Sequence, residues 1–204
     1  MIIVEERLLE LLERRLTGDR YSHSIGVADT GEMMAKRLYE ENKLTLLTDK
    51  ESFIARVRQA GLLHDYAKDI GLDQLRIIAE EARDFCQIDR EEMEMAQLLH
   101  APVSAYLARK DLGIEDEEVL EAIRYHTIGS PEMGLIARII FVADYIEPNR
   151  TFKAAEEIRE EFKDRGLDRA IIKACDHTIN YNIVRGNLIH PNILCLRNAC
   201  LRRQ

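Results

Sequence analysis

Residues 135–146 read Leu-Ile-Ala-Arg-Ile-Ile-Phe-Val-Ala-Asp-Tyr-Ile, an almost unbroken apolar run. A segment this apolar has to be covered on all sides, so the rest of the chain must supply elements that pack around it. Buried strands run about 4–8 residues and buried helices run longer, so the length of this run favours a helix. Its neighbours carry helical spacing as well, which makes it the expected central helix of an all-α fold. One carboxylate interrupts its inner face: Asp144 follows Ala137, Ile140 and Phe141. An unpaired carboxylate on a buried face is costly, so Asp144 needs partners.

The flanking periodicity predicts helices over 3–16 and from Arg20 to about Glu41, then a connector from Asn42 to Thr48. A helix from Phe53 to Lys68 follows, and after Ile70-Gly71-Leu72 another over about 73–84, capped by Asp73. A further pattern runs from Arg90 into His100, and a new helix runs from Ala101 to Lys110 with Pro102 in its first turn. Glu115–His126 is the next helix. After the central run, helices are expected at about 153–164, 168–186 and 192–202. No hairpin, internal repeat or low-complexity tract is evident. The 204 residues suggest one compact domain spanning 1–204, large enough to bury a core without staples.

Composition excludes several classes. A net charge of −8 gives no electrostatic reason to expect DNA or RNA binding. No stretch approaches the length of a membrane span, and the N-terminus shows no basic segment leading into an apolar run. The chain is therefore expected to be cytoplasmic, without a membrane partner. The four cysteines (Cys86, Cys175, Cys195 and Cys200) form no Cys-x-x-Cys, which argues against a zinc–thiolate site.

Asp144 is not the only polar residue on an apolar face. His23 leads a stripe of Val27, Thr30, Met34 and Leu38. His64 follows Val57 and Ala60, His100 follows Met93 and Ala96, and His126 follows Val119, Ala122 and Ile123. Each histidine alone reads as a core residue bonded to a backbone carbonyl. Five such residues on the inner faces of five helices converge if the helices pack together, and a metal ion then resolves every burial problem at once. Histidine and carboxylate without thiolate suit Fe, Mn, Zn, Co or Ni, and there are enough ligands for two ions. Paired ions point to hydrolysis of a phosphate ester or anhydride. Lys68 and Arg150 could neutralise the phosphates, and Thr127 could donate its hydroxyl.

The spacing His23…His64-Asp65…Asp144 resembles the HD superfamily of metal-dependent phosphohydrolases. It resembles more closely its YqeK branch, the symmetrical bis(5′-nucleosyl)-tetraphosphatases. The carrying segments are Arg20-Tyr21-Ser22-His23-Ser24, His64-Asp65-Tyr66-Ala67-Lys68, His100-Ala-Pro-Val-Ser-Ala and His126-Thr127-Ile-Gly129. To these is added Ala143-Asp144-Tyr-Ile-Glu147-Pro148-Asn-Arg150. The resemblance implies a helical HD domain with its core at about 20–150 and C-terminal helices, 151–204, completing a nucleotide pocket. It implies iron held by His23, His64, Asp65 and Asp144, with a second metal on Asp65, His100 and His126. The implied reaction is cleavage of diadenosine tetraphosphate (Ap4A) to two ADP by metal-activated water. Asp65, Tyr66, Ala67, Lys68, His100, His126, Thr127, Asp144 and Arg150 would surround the phosphates. Asn187, Leu188, Ile189, His190, Pro191 and Asn192 would hold the nucleoside end, although by itself His190-Pro191 is only a turn signal. The chain departs from the family pattern at Ile193 and Leu196. The implied partner is a small nucleotide, and the sequence leaves room for a homodimer. Two alternatives remain open at this point: another HD-domain nucleotide phosphohydrolase, and a non-catalytic nucleotide-sensing module.

Overall fold

The apolar run forms a helix at the centre of the molecule. In the computed structural model, which describes residues 5–41 and 49–203, helix α8 (Leu135–Ile146) is buried along most of its length. Around it stand α1 (Glu5–Arg15), α2 (Gly18–Glu40), α3 (Lys50–Leu63), α4 (Leu72–Cys86), α5 (Arg90–Glu94) and α6 (His100–Leu112). The chain continues through α7 (Glu117–Tyr125), α9 (Lys153–Arg165), α10 (Leu167–Arg185) and α11 (Pro191–Arg202). No strand occurs among the described residues, so the all-α expectation holds. None of their helices is long and apolar enough to cross a membrane. The expected connector Asn42–Thr48 lies outside the described residues.

Helix α8 packs against α2, α3, α7, α9 and α10. Helix α2 lies closest to α3, and Gly61 makes this approach feasible. A Cβ there would sit 2.7 Å from Ala28 Cα, a distance that two packed backbones cannot yield to. Helix starts are fixed by side chains where the sequence supplies them. Asp49 accepts from Ser52 N, Asp116 from the amides of Glu118 and Val119, and Asp89 forms a reciprocal capping box with Glu92. Gly113, in the left-handed region at φ 67°, ends α6.

Several expected boundaries are corrected. The helix predicted over Phe53–Lys68 ends at Leu63, and residues 64–69 are turns. Lys68 therefore does not lie one helical turn beyond His64; its amide closes a tight turn onto the Asp65 carbonyl at 2.9 Å. Gly71, not Asp73, is the N-cap of α4, and Asp73 sits in its first turn. The pattern from Arg90 to His100 is not one helix. It breaks at Met95 (φ −99°, ψ 66°), where α5 gives way to a 3₁₀ turn, Ala96–Leu98.

Ile193 and Leu196, where the chain departs from the family pattern, are both buried. Leu196 packs directly over Gly129, which adopts φ 64°. A side chain at Gly129 would be strained by its φ and would collide with Leu196. Leu196 is thus absorbed by the core.

Candidate metal and phosphate site

Four imidazoles and two carboxylates meet where α2, α3, α6, α7 and α8 come together. His23 lies on α2, His64 is the C-cap of α3 and His100 opens α6. His126 is the C-cap of α7, and Asp144 is in the last turn of α8. Asp65 follows His64 into the turn.

Three of these histidines share one local device. Nδ1–H of His64 donates to Gly61 O at 2.7 Å, that of His100 to Gln97 O at 2.8 Å, and that of His126 to Ile123 O at 2.8 Å. Each acceptor is the carbonyl three residues earlier, left free where a helix or turn ends. A carbonyl only accepts, so Nδ1 is the donor and each Nε2 is left to face the other groups. Those Nε2 atoms converge. Nε2 of His100 and of His126 are 3.1 Å apart, and Nε2 of His64 is 3.2 Å from Nε2 of His23. Burial holds the pKa of His64 and of His100 down at about 4, so both are neutral imidazoles at ordinary pH.

His23 is placed differently, between two carboxylates. Asp144 Oδ1 is 3.0 Å from its Nε2 and Glu147 Oε1 is 3.1 Å from its Nδ1. Burial alone would lower its pKa, but the bond to Asp144 and the pull of both carboxylates raise it above the ordinary value. For Asp144 burial works in the opposite direction, and the hydrogen bond with His23 and the nearby positive charge overcome it, holding its carboxyl well below the usual range.

The donor set fits a transition-metal ion. Asp65 Oδ1 is buried without a hydrogen-bond partner among the described residues. It lies 3.2 Å from Nε2 of His100 and 3.5 Å from Nε2 of His126, with the Lys68 ammonium 3.3 Å away, so acceptors crowd together where a metal cation would relieve them. The ligand atoms of His23, His64 and Asp144 lie within 4.8 Å of one another, as do those of His64, Asp65 and His126. Sequence resemblance gives the shared position to Asp65; in these two groups His64 is the common member, and His100 adjoins the second through Asp65. A third cluster, Asp89, Glu92 and His190, is already saturated. Nε2–H of His190 donates to Asp89 at 2.9 Å, its Nδ1 accepts from Asn192 N, and Glu92 holds Arg124.

The cationic residues close the site. Lys68 Nζ is 2.8 Å from Nε2 of His100 and 3.3 Å from Asp65 Oδ1. Arg150 donates to Asp144 Oδ1 at 2.8 Å and to the Asp144 carbonyl at 3.0 Å. Thr127 Oγ1 is buried and has no partner among the described residues, an uncommitted donor beside His126. Of the other expected contacts, Tyr66 is buried beneath Arg15, which donates to its carbonyl and hydroxyl, and the Ala67 amide donates to Ser104 Oγ. His190 caps α11, and Asn192 donates to Gly129 O at 3.1 Å.

His126, Thr127, Asp144 and Arg150 line one end of a cavity of about 610 Å³. Tyr145, Phe152, His177, Thr178, Tyr181 and Asn182 complete its lining, and the segment 187–192 does not contribute. Sequence reading missed these α10 residues. The available signal was a pair of i,i+4 spacings, His177/Tyr181 and Thr178/Asn182, on one helix. It also missed Glu147, which follows Asp144 by three residues and which Pro148 makes look like a simple helix stop. Buried Glu147 orients His23 and accepts from Asn149 N. Glu147→Ala is expected to weaken metal affinity by roughly 10–100-fold, read by chelator competition, with Glu147→Gln retaining most of it. Equal affinity in all three proteins would mean that His23 is aimed by something else.

The HD domain family matches residues 20–149, and the chain belongs to the HD-domain family. Two of its relatives are narrower in kind. The symmetrical bis(5′-nucleosyl)-tetraphosphatase of Halalkalibacterium halodurans is 37% identical over 97% of each chain, and that of Bacillus subtilis 34% over 95% of each. A crystal structure of a predicted HD superfamily hydrolase involved in NAD metabolism, from Clostridium acetobutylicum, matches all of both chains. Its TM-score is 0.86 and its identity 34%.

Proposed function

We propose that this chain is a metal-dependent hydrolase that cuts Ap4A symmetrically into two molecules of ADP. The observation that carries this reading is the set of imidazole Nε2 atoms converging around Asp65, with Lys68, Thr127 and Arg150 beside them. The two tetraphosphatases that match nearly the whole chain support the choice of substrate. The resident metal is taken to be iron, in keeping with a histidine–carboxylate donor set free of thiolate. One ion would use His23, His64, Asp65 and Asp144, and a second would use Asp65, His100 and His126. Bound there, the metal supplies Lewis acidity to phosphoryl oxygens and acidifies water.

The chain's own residues do the rest. Arg150 and Lys68 offset the charge that spreads over the transferring phosphoryl group, and Thr127 donates to a phosphate oxygen. Tight packing around Asp65 and His64 keeps bulk water from the reacting phosphorus. Water oxygen bonds to one of the two central phosphorus atoms, the bridging oxygen leaves with the other ADP, and each half carries away a terminal phosphate. Asn187, Leu188, Ile189, His190, Pro191 and Asn192 are assigned to one nucleoside end, and the enzyme is placed in the cytoplasm.

Turnover of Ap4A in ¹⁸O-labelled water, with protein purified anaerobically and analysed for metal, tests the reading. ADP should be the only nucleotide product, half of it labelled, and iron should accompany the protein. ATP plus AMP would overturn the symmetrical reaction. No turnover with added Fe, Mn or Co would favour a nucleotide-binding module instead.

A further inference from the structure

Symmetrical cleavage of a dinucleotide places a nucleobase on each side of the reacting phosphates. The segment 187–192 is assigned to one end only. The cavity that begins at Thr127, Asp144 and Arg150 continues along an aromatic wall. Phe152, two residues beyond Arg150, lies parallel to His177 with ring centroids 5.7 Å apart and 19° between planes. Tyr181 follows His177 one turn along α10, 6.3 Å from its ring. Tyr145 stands edge-on to both Phe152 and His177 and is fixed by a hydrogen bond to Thr178.

These rings are costly to leave uncovered. Phe152 is 39% exposed and Tyr181 is 47% exposed, and both line the cavity, which opens to solvent. Among the described residues, no hydrogen bond ends on the His177 nitrogens, so its ring is held by aromatic contacts alone and its edge is free to bond a ligand. The cavity volume is within the range of small-molecule sites. A ligand that fills it must carry an anionic group for Arg150 and a flat aromatic group for the wall. A nucleotide joins the two.

We propose that Phe152, His177 and Tyr181 form the stacking subsite for the second nucleobase of the substrate. The proposal rests on the reading of the site as one that takes a dinucleotide. Stacking on these rings tolerates any base, because every base presents a π face, so this end supports affinity more than base selectivity.

Binding is measured by calorimetry on the metal-loaded protein with three probes: the hydrolysis-resistant β,β′-methylene analogue of Ap4A, ADP, and inorganic tripolyphosphate. The proteins compared are wild type, Phe152→Leu, Tyr181→Leu and the conservative Phe152→Tyr. Each leucine variant should bind the dinucleotide analogue about tenfold more weakly. Affinity for ADP and for tripolyphosphate should stay within about twofold, and Phe152→Tyr should bind like wild type. Unchanged affinity for the analogue overturns the proposal. So does an equal loss for ADP, which would place the rings in the first nucleoside's subsite, or an equal loss for tripolyphosphate, which would indicate a structural defect. Wild-type protein that binds the analogue no more tightly than ADP overturns it as well. Turnover of Ap4A is scored separately: selective loss of analogue binding without any turnover by wild type would sink the hydrolase reading and leave the subsite standing.

Discussion

Asp65→Ala is expected to abolish metal binding and to lower Ap4A turnover by roughly 10³-fold or more, beyond the cost of a single lost oxyanion-type donor. The carboxylate lies among the Nε2 atoms of His64, His100 and His126 and contacts Lys68 Nζ. Its loss removes the negative charge that lets a cation settle between the imidazoles. The fold should survive, because among the described residues no hydrogen bond ends on Asp65 Oδ1 and the turn is closed by main-chain bonds from Tyr66, Lys68 and Ile70. Metal content, turnover and a thermal melt on the same preparation check the expectation. Full activity in a folded, metal-free Asp65→Ala protein would sink the proposed site.

A second large effect is expected at a buried ion pair outside the ligand set. Arg124 forks onto Glu92 with bonds of 2.8 and 2.6 Å and also donates to Cys86 O at 2.9 Å, and both side chains are buried. Glu92→Ala leaves a guanidinium without its counter-charge in the interior, at a cost of about 3–5 kcal/mol. For a chain of this size that is a fall in Tm of roughly 6–20 °C. Replacing both partners with apolar residues, Glu92→Met with Arg124→Leu, should recover most of the loss, because no charge is then stranded. Denaturant unfolding of the three proteins measures the difference. A loss below about 1 kcal/mol in Glu92→Ala would mean that Arg124 finds water or another acceptor. The pair matters to the site because Arg124 anchors the last turn of α7, two residues before His126.

Most of the helical order is legible from periodicity, because burial of one face repeats with the helix. Residues 135–146 and the start of α6 around Pro102 come out as expected for that reason. The convergence of His23, His64, Asp65, His100, His126 and Asp144 is legible too, since polar groups on apolar faces have to find one another. What is not legible is where the helices stop. His64 keeps helical dihedrals (φ −55°, ψ −40°), so the sequence from Phe53 to Lys68 continues to look helical while its hydrogen bonds have changed to those of tight turns. The break at Met95 lies inside a pattern with no glycine or proline to announce it. Glu147 and the aromatic wall owe their places to contacts over long sequence separations: Glu147 meets His23 across 124 positions, and Phe152 meets His177 through the packing of α10. No local pattern encodes such pairs.

The hold on Nδ1 of His64, His100 and His126 comes from the carbonyls of Gly61, Gln97 and Ile123. A main-chain oxygen is the same atom in every amino acid. The aim of these rings is therefore written into the chain's path rather than into neighbouring side chains. Gln97 is free to drift in identity with no loss of aim, whereas an insertion or deletion of a single residue in any of the three intervals would swing a ring away from its target. Length, more than residue type, is what heredity must preserve there.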